Sequence, residues 1–530
     1  MRRPTADTEA GPVQGILCRD RTVTVFRGIP YAAPPVGDLR WRPPQPPLRW
    51  EGVRQADLFG PMCPQAPSEA AATGVDVPMS EDCLSLNIWT GAPSREERRP
   101  VLVWIYGGGF REGTGAQPRY DGENLARQGL VVVTFNYRLG AFGFLAAPEL
   151  SEESGHGSSG NYGLLDCVAV LRWVRDNIEH FGGDPGRVTI AGQSAGAGLV
   201  NFLAMSPLAK GLFHRAIAQS HARYARDPEL RYLSTSYRLP ADAESAGDRY
   251  MREHGARTIR DLRTLDWHKL IDGHHPVDTS VDTCGTAAPP LLRPVLDGWV
   301  IPAGYDETYT KGLQNDVDYL TGNNLDESGA VPETLVAALR AGRRAIRPGS
   351  PPVHVTLEQH RAAAKRKFGP LADEFLRLYP AATDDEAARA SSMAARDNSR
   401  LSTYLWGEGW TRHSSGSLHT YFWTHRTQAK GRGLRGASHG SEIDYVFGNP
   451  EGGTASWADE DHEIARTLSA YWINFMASGD PNGAGLPRWP AFSPDAGTVM
   501  EIGAQFRPIP VSDPARTDFW IRFFSTQRAW

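Results

Sequence analysis

Cysteine is scarce in this chain. Five cysteines, Cys18, Cys63, Cys83, Cys167 and Cys284, are spread over 530 residues. That is too few for a disulfide scaffold, and none has the close spacing of metal ligands, so no metal is expected. Long apolar runs are missing too. Nothing approaches the ~20 apolar residues of a membrane span, and no apolar core follows Arg2 and Arg3 as it would in a signal peptide. The chain also lacks an excess of one charge: 56 basic against 61 acidic residues leave a net charge of -5, no field for holding nucleic acid. Repeats, long low-complexity tracts and clear linkers are absent as well. The expectation is a soluble, cytoplasmic protein that acts on a small molecule with no cofactor; the oligomeric state stays open, a monomer included.

What is present is ordinary globular composition, 40% hydrophobic and 22% charged. The length exceeds the ~250 to 300 residues at which single cores stop growing, so the chain is either several domains or one heavily decorated fold. The motifs favour one fold over residues 1–530. The proline-dense stretch from Tyr31 to Pro47 has apolar anchors at Leu39, Trp41 and, just beyond it, Leu48, and reads as an ordered surface loop. From Pro100 to Met205 short β-branched runs (Val101 to Tyr106, Val131 to Phe135, Val188 to Ala191) alternate with helical spacing from Tyr162 to Phe181. That rhythm predicts an α/β fold, a mostly parallel sheet covered on both faces. Further strands are expected at Ala216 to Ser220, Val317 to Gly322 and His419 to Thr424, and an amphipathic helix at Ile464 to Met476. The stretches of about 222–292 and 327–417 read as helical and loop insertions that cap the sheet.

The central motif is Gly192-Gln193-Ser194-Ala195-Gly196, set between an expected strand and an expected helix. Small residues on both sides let strand and helix approach while the serine sits exposed on a strained turn. Taken alone this pattern arises easily by chance, and its setting is what makes Ser194 a candidate nucleophile. Upstream, Tyr106-Gly107-Gly108-Gly109-Phe110 follows a strand. Acyl transfer builds negative charge on a carbonyl oxygen, and glycines let backbone N–H groups reach it. Gly108, Gly109 and the N–H of Ala195 are the candidate oxyanion donors. A serine needs a base, and the base needs an acid that fixes its tautomer. In this order of elements the acid precedes the histidine. His439, in the small-residue loop Gly436 to Glu442, suits the base. Glu327 suits the acid, with its neighbour Asp326 as the competitor that position alone does not remove.

These residues resemble the type B carboxylesterases, the family of cholinesterases, animal carboxylesterases and bacterial para-nitrobenzyl esterases. The resemblance is carried by Phe26 to Ala32, Glu81 to Asn87, Tyr106 to Phe110, Asn136 to Gly140, Phe181 to Pro185 and the serine motif, nearly continuous over the first 220 residues. It implies an α/β-hydrolase fold, hydrolysis of carboxylic esters through an acyl-enzyme, and a triad of Ser194, Glu327 and His439. It implies that Ser220 hydrogen-bonds near the histidine and the acid, although a strand-end serine without a role is the alternative. It would join Cys63 to Cys83 and pair Arg40 with Glu81 and Arg138 with Asp166. Such a disulfide favours an oxidising compartment, so secretion stays open beside the cytoplasm.

The departures concern substrate. Many relatives have glutamate before the nucleophile where this chain has Gln193, and the loop Pro64 to Asp82 lacks the tryptophan that receives choline. Choline esters are therefore not expected. After Ser220 the chain runs His221-Ala222-Arg223-Tyr224-Ala225-Arg226 instead of continuing with glycine. Arginines facing the pocket would suit a carboxylate-bearing substrate; a solvated helix face is the preferred expectation. Two other readings use the same fold: an acyltransferase or lactone-forming enzyme with the same triad, and a binding protein without catalysis.

Overall fold

The β-branched runs assemble into one large sheet in the computed structural model, which describes residues 4–231, 236–271, 276–281, 288–342, 353–426, 436–449, 457–503 and 505–530. Cys284 lies outside them. Numbering only its strands, the sheet contains β1 (Ile16–Leu17), β2 (Thr24–Pro30), β3 (Ser85–Thr90), β4 (Arg99–Ile105), β5 (Val131–Phe135), β6 (Gly183–Gln193), β7 (Arg215–Gln219), β8 (Asp318–Asn324), β9 (Leu418–Trp423), β10 (Thr498–Ile502) and β11 (Arg507–Pro510). The spatial order is β11-β10-β9-β8-β7-β6-β4-β5-β3-β2-β1. The strands from β10 across to β5 are parallel neighbours, and the outer pairings are antiparallel.

Parallel strands covered on both faces need apolar residues at every position, and β4 and β5 meet that need: Val101 to Ile105 and Val131 to Phe135 are all buried. The covering helices include α1 (Tyr162–Asn177), α2 (Ala195–Met205), α3 (Asp384–Thr411) and α4 (Asp459–Ser478). In α2 every residue is buried, as befits a helix that is apolar all round.

The two insertions are helical where described. The first carries Pro240–Glu253 and Ile259–Thr264, and the second carries Glu333–Arg340, Leu357–Phe368, Ala372–Leu378 and α3. The second also has an apolar core of its own, in which Phe368, Phe375, Tyr379 and Leu401 pack with Trp520, Phe523 and Phe524 of the terminal helix Pro514–Ser525. The proline-rich loop is anchored by Trp41, buried with its indole N–H donating to the Ala141 carbonyl at 2.8 Å. Leu48 is no anchor: it is 73% exposed.

Two buried ion pairs lock the ends of the strands. Arg40 meets Glu81 at 2.5 and 2.6 Å and reaches the Leu265 carbonyl at 2.9 Å, tying in the first insertion. Arg138 meets Asp166 at 2.7 and 2.9 Å. The expected bond between Cys63 and Cys83 is not made: both are buried free thiols. The Leu139 N–H donates to Cys63 Sγ at 3.3 Å. The hydrogen bond from Cys63 and burial push the Cys83 thiol well above its usual range, which suppresses the thiolate that oxidation requires.

Because Arg138 and Asp166 are both buried, Arg138→Met strands an uncompensated carboxylate and is expected to cost about 3 to 5 kcal/mol. The exposed pair Lys311 with Glu307 is expected to contribute no more than about 0.5 kcal/mol when Lys311 is replaced. Thermal melts of the two variants side by side check this; equal midpoints would contradict the locking role.

Candidate active site

β6 ends at Gln193 and α2 begins at Ala195, so Ser194 alone turns the chain from strand to helix. It does so with φ 59° and ψ −126°, a backbone that a side-chain-bearing residue adopts only at a cost of roughly 1 to 3 kcal/mol. The flanking glycines explain how the turn fits. A Cβ on Gly196 would lie 2.0 Å from the Ile105 carbonyl oxygen, and one on Gly192 would lie 2.6 Å from the Gly196 backbone. The turn is further held by the Ser194 N–H donating to the Gln219 carbonyl at 3.0 Å.

The glycine loop after β4 presses on this turn: a Cβ on Gly107 would lie 2.5 Å from the Gln193 carbonyl oxygen and 3.0 Å from Ser194 Cβ. Gly108 and Gly109 have φ of 115° and 61°, conformations that favour glycine. Their N–H groups donate to no carbonyl among the described residues. Ala195, as first residue of α2, has an N–H without an intrahelical acceptor. The glycine loop and the start of α2 thus carry three backbone N–H groups, those of Gly108, Gly109 and Ala195, with no backbone acceptor among the described residues.

The candidate acid and base lie in the segments that follow β8 and β9. Glu327 is buried and its Oε2 lies 2.6 Å from His439 Nδ1, while its Oε1 accepts from the Asn324 N–H at 2.7 Å. Asp326 is occupied otherwise: it pairs with Arg396 of α3 at 2.6 Å and accepts from the Ala437 N–H at 3.0 Å, fastening the histidine loop. The geometry thus separates two carboxylates that the sequence left side by side.

On its other edge, His439 Nε2 lies 3.1 Å from the Gln193 amide, one residue from Ser194. The ring is half exposed at the mouth of the site. Desolvation by the surrounding protein disfavours its charged form, but the hydrogen bond and charge of Glu327, with the charge of Glu442, outweigh it and hold the His439 pKa above its usual 6.5.

Glu442 is the site residue that sequence reasoning passed over. It is buried, its Oε1 accepts from Gln219 Nε2 at 2.9 Å and its Oε2 from Asn324 Nδ2 at 2.5 Å. Burial pushes its carboxyl up, Asn324 pulls it down and the charge of Glu327 pushes it up again. The available signal was an acid three residues after His439, immediately before the apolar helix Ile443–Phe447. Ser220 takes φ 64° at the end of β7, and its buried Oγ has no hydrogen-bond partner among the described residues.

Residues 221–227 form no helix, which overturns the solvated helix face expected for Arg223 and Arg226. Arg223 is buried with Asp227 at 3.0 Å and Glu229 at 3.3 Å, and also donates to Ser328 Oγ beside the acid. Its charge is spent on these partners, so it does not serve as a free substrate clamp. Arg226 donates to the Gln527 carbonyl at 3.0 Å. His221 is fully buried, and burial with the Arg223 charge pulls its pKa down to about 3. Among the described residues no group of three or more His, Cys, Asp or Glu could hold a metal ion, and no helix is long and apolar enough to cross a membrane.

Comparison with known proteins shows the family. The model of the carboxylesterase family matches residues 2–520. The chain is 38% identical over 516 residues to a fumonisin B1 esterase of Sphingopyxis macrogoltabida, covering 94% of this chain and 86% of that protein. It is 32% identical over 574 residues to liver carboxylesterase 1 of Oryctolagus cuniculus, covering 99% and 94%. Among solved structures, a PNB esterase superposes with a TM-score of 0.76 at 29% identity, covering 98% of this chain and all (100%) of that one.

The His439 environment predicts a pH profile. A histidine acting as base must be neutral, so turnover is expected to fall as pH drops through its raised pKa. Gln193→Glu puts a negative charge beside Nε2, favours the imidazolium and is expected to move the acid limb to higher pH. Profiles of kcat/KM for both proteins check the sign; a limb that stays in place or moves to lower pH would remove His439 from the role.

Proposed function

Since the chain belongs to the carboxylesterase family and is an α/β-hydrolase that cleaves carboxylic esters, we propose that Ser194, His439 and Glu327 carry the reaction. The observation that supports this most is the 2.6 Å contact between His439 Nδ1 and Glu327 Oε2, with the opposite ring nitrogen 3.1 Å from the amide of Gln193, the residue before the strained serine. Ser194 Oγ attacks the ester carbonyl as His439 Nε2 takes its proton. The N–H groups of Gly108, Gly109 and Ala195 hold the oxyanion that forms. Collapse of the tetrahedral intermediate expels the alcohol, which takes the proton back from His439, and leaves an acyl-enzyme on Ser194. Water, deprotonated by His439, then releases the acid. Glu327 fixes the tautomer with the proton on Nδ1 and stabilises the imidazolium.

The proposed substrates are esters other than choline esters, since Gln193 is neutral and no tryptophan lies between Pro64 and Asp82. The proposed location is the cytoplasm, in keeping with Cys63 and Cys83 as free thiols.

Ser194→Ala is expected to lower kcat on para-nitrophenyl butyrate by about 10⁴- to 10⁶-fold and to abolish labelling by a fluorophosphonate. Wild-type turnover in that variant would end the assignment. Glu327→Gln is expected to cost about 10⁴-fold in kcat. Asp326→Asn is expected to act chiefly on stability, because its partners are Arg396 and the Ala437 N–H. If Asp326→Asn proves the more damaging of the two to kcat in folded protein, the acid has been misassigned.

A further inference from the structure

Arg111 follows the glycine loop directly, and the fold gives its guanidinium little to bind. Its Nε–H is buried without a hydrogen-bond partner among the described residues. The guanidinium lies against the loop: a Cβ on Gly109 would stand 3.6 Å from Arg111 Nε and 3.8 Å from Nη2. It is therefore adjacent to one of the backbone donors proposed to hold the oxyanion. It also lines a small cavity of about 50 Å³, partly open to solvent, with apolar walls from Pro64, Phe142, Leu270 and Leu292. Glu69 lines the same cavity and feels the Arg111 charge. Burial raises the Glu69 pKa, and Arg111 pulls it the other way.

An arginine carries five N–H donors in a fixed fork and cannot discharge itself. A buried Nε–H without an acceptor costs stability, and a ligand entering the open side of the cavity would supply that acceptor. We propose that Arg111 is a specificity residue that receives a carboxylate of the substrate, so that the enzyme takes esters bearing an ionised carboxylate a few bonds from the scissile carbonyl. The inference rests on the ester-hydrolase reading of Ser194. The planar fork matches a carboxylate bidentately. A single cation facing Glu69 also suits a singly charged group better than a phosphate dianion.

The test compares kcat/KM for acidic and neutral esters of matched shape in two arms. Mono-para-nitrophenyl glutarate against para-nitrophenyl valerate places the carboxylate on the acyl side. Para-acetoxybenzoate against phenyl acetate places it on the alcohol side. In one arm the native enzyme is expected to favour the acidic ester, and Arg111→Gln to lower the acidic-to-neutral ratio by about 10- to 100-fold. Arg111→Lys keeps the charge and loses the fork, and is expected to fall between the two. The ratio is insensitive to partial misfolding, because both esters report the same active fraction. A ratio unchanged by Arg111→Gln in both arms overturns the subsite. Turnover of para-nitrophenyl valerate retained in Ser194→Ala overturns the underlying reading, independently of the outcome at Arg111.

Discussion

The close approach of three backbones at Ser194 is the constraint on which the site depends. β4, β6 and the start of α2 meet where a single Cβ on Gly196 would come within 2.0 Å of the Ile105 carbonyl oxygen. No rotamer change relieves such a contact, since both sides are main chain. Only with Gly192 and Gly196 in place can the strand turn straight into the helix at φ 59°. The same closeness brings Gly107 against Gln193 and so lays the glycine loop beside the serine. Strain at Ser194 is tolerated because α2 is wholly buried, the Ser194 N–H donates to β7 and the Ser194 carbonyl accepts from Gly198 in the first turn of α2.

The acid and base depend on a second set of constraints, delivered from the cap. Helix α3 of the second insertion reaches down to β8. Arg396 binds the Leu325 carbonyl at 3.0 Å and Asp326 at 2.6 Å, and Thr403 accepts from Asn323 Nδ2 at 2.7 Å. Asp326 in turn grips the Ala437 N–H, two residues before His439. Glu442 closes the ring from the other side through Gln219 and Asn324. The insertion is thus a brace for the loop that carries Asp326 and Glu327, and its separate apolar core with the terminal helix makes that brace stiff.

Much of this was legible in the sequence, for identifiable reasons. Strands such as Val131–Phe135 are short, β-branched and buried on both faces, so pattern and structure coincide. β11 was not legible because its Pro508 and Pro510 contradict strand propensity; they are tolerated at the edge, where a missing N–H leaves no neighbour unpaired. Serine, base and glycine loop carry local patterns. The choice between Asp326 and Glu327 does not, because two adjacent carboxylates differ only in which way the chain points them. Arg223 was misjudged because a run of arginines reads as solvated surface, whereas its partners Asp227 and Glu229 lie within the same buried turn.

The charges around His439 connect the two halves of the argument. Glu327 and Glu442 favour its protonated form, and Arg223, though it does not touch the ring, disfavours it. Gln193 adds no charge at 3.1 Å from Nε2, where a glutamate would have made a third carboxylate. A site with three carboxylates around the serine would repel an anionic substrate just where its carbonyl must sit. With Gln193 neutral and Arg111 lying against Gly109, the field at the mouth is less negative, while Glu327, the proposed acid, keeps its contact with His439 Nδ1. The substitution before the serine and the arginine after the glycine loop therefore act in the same direction: both lower the cost of bringing a negative charge next to the oxyanion that the reaction creates.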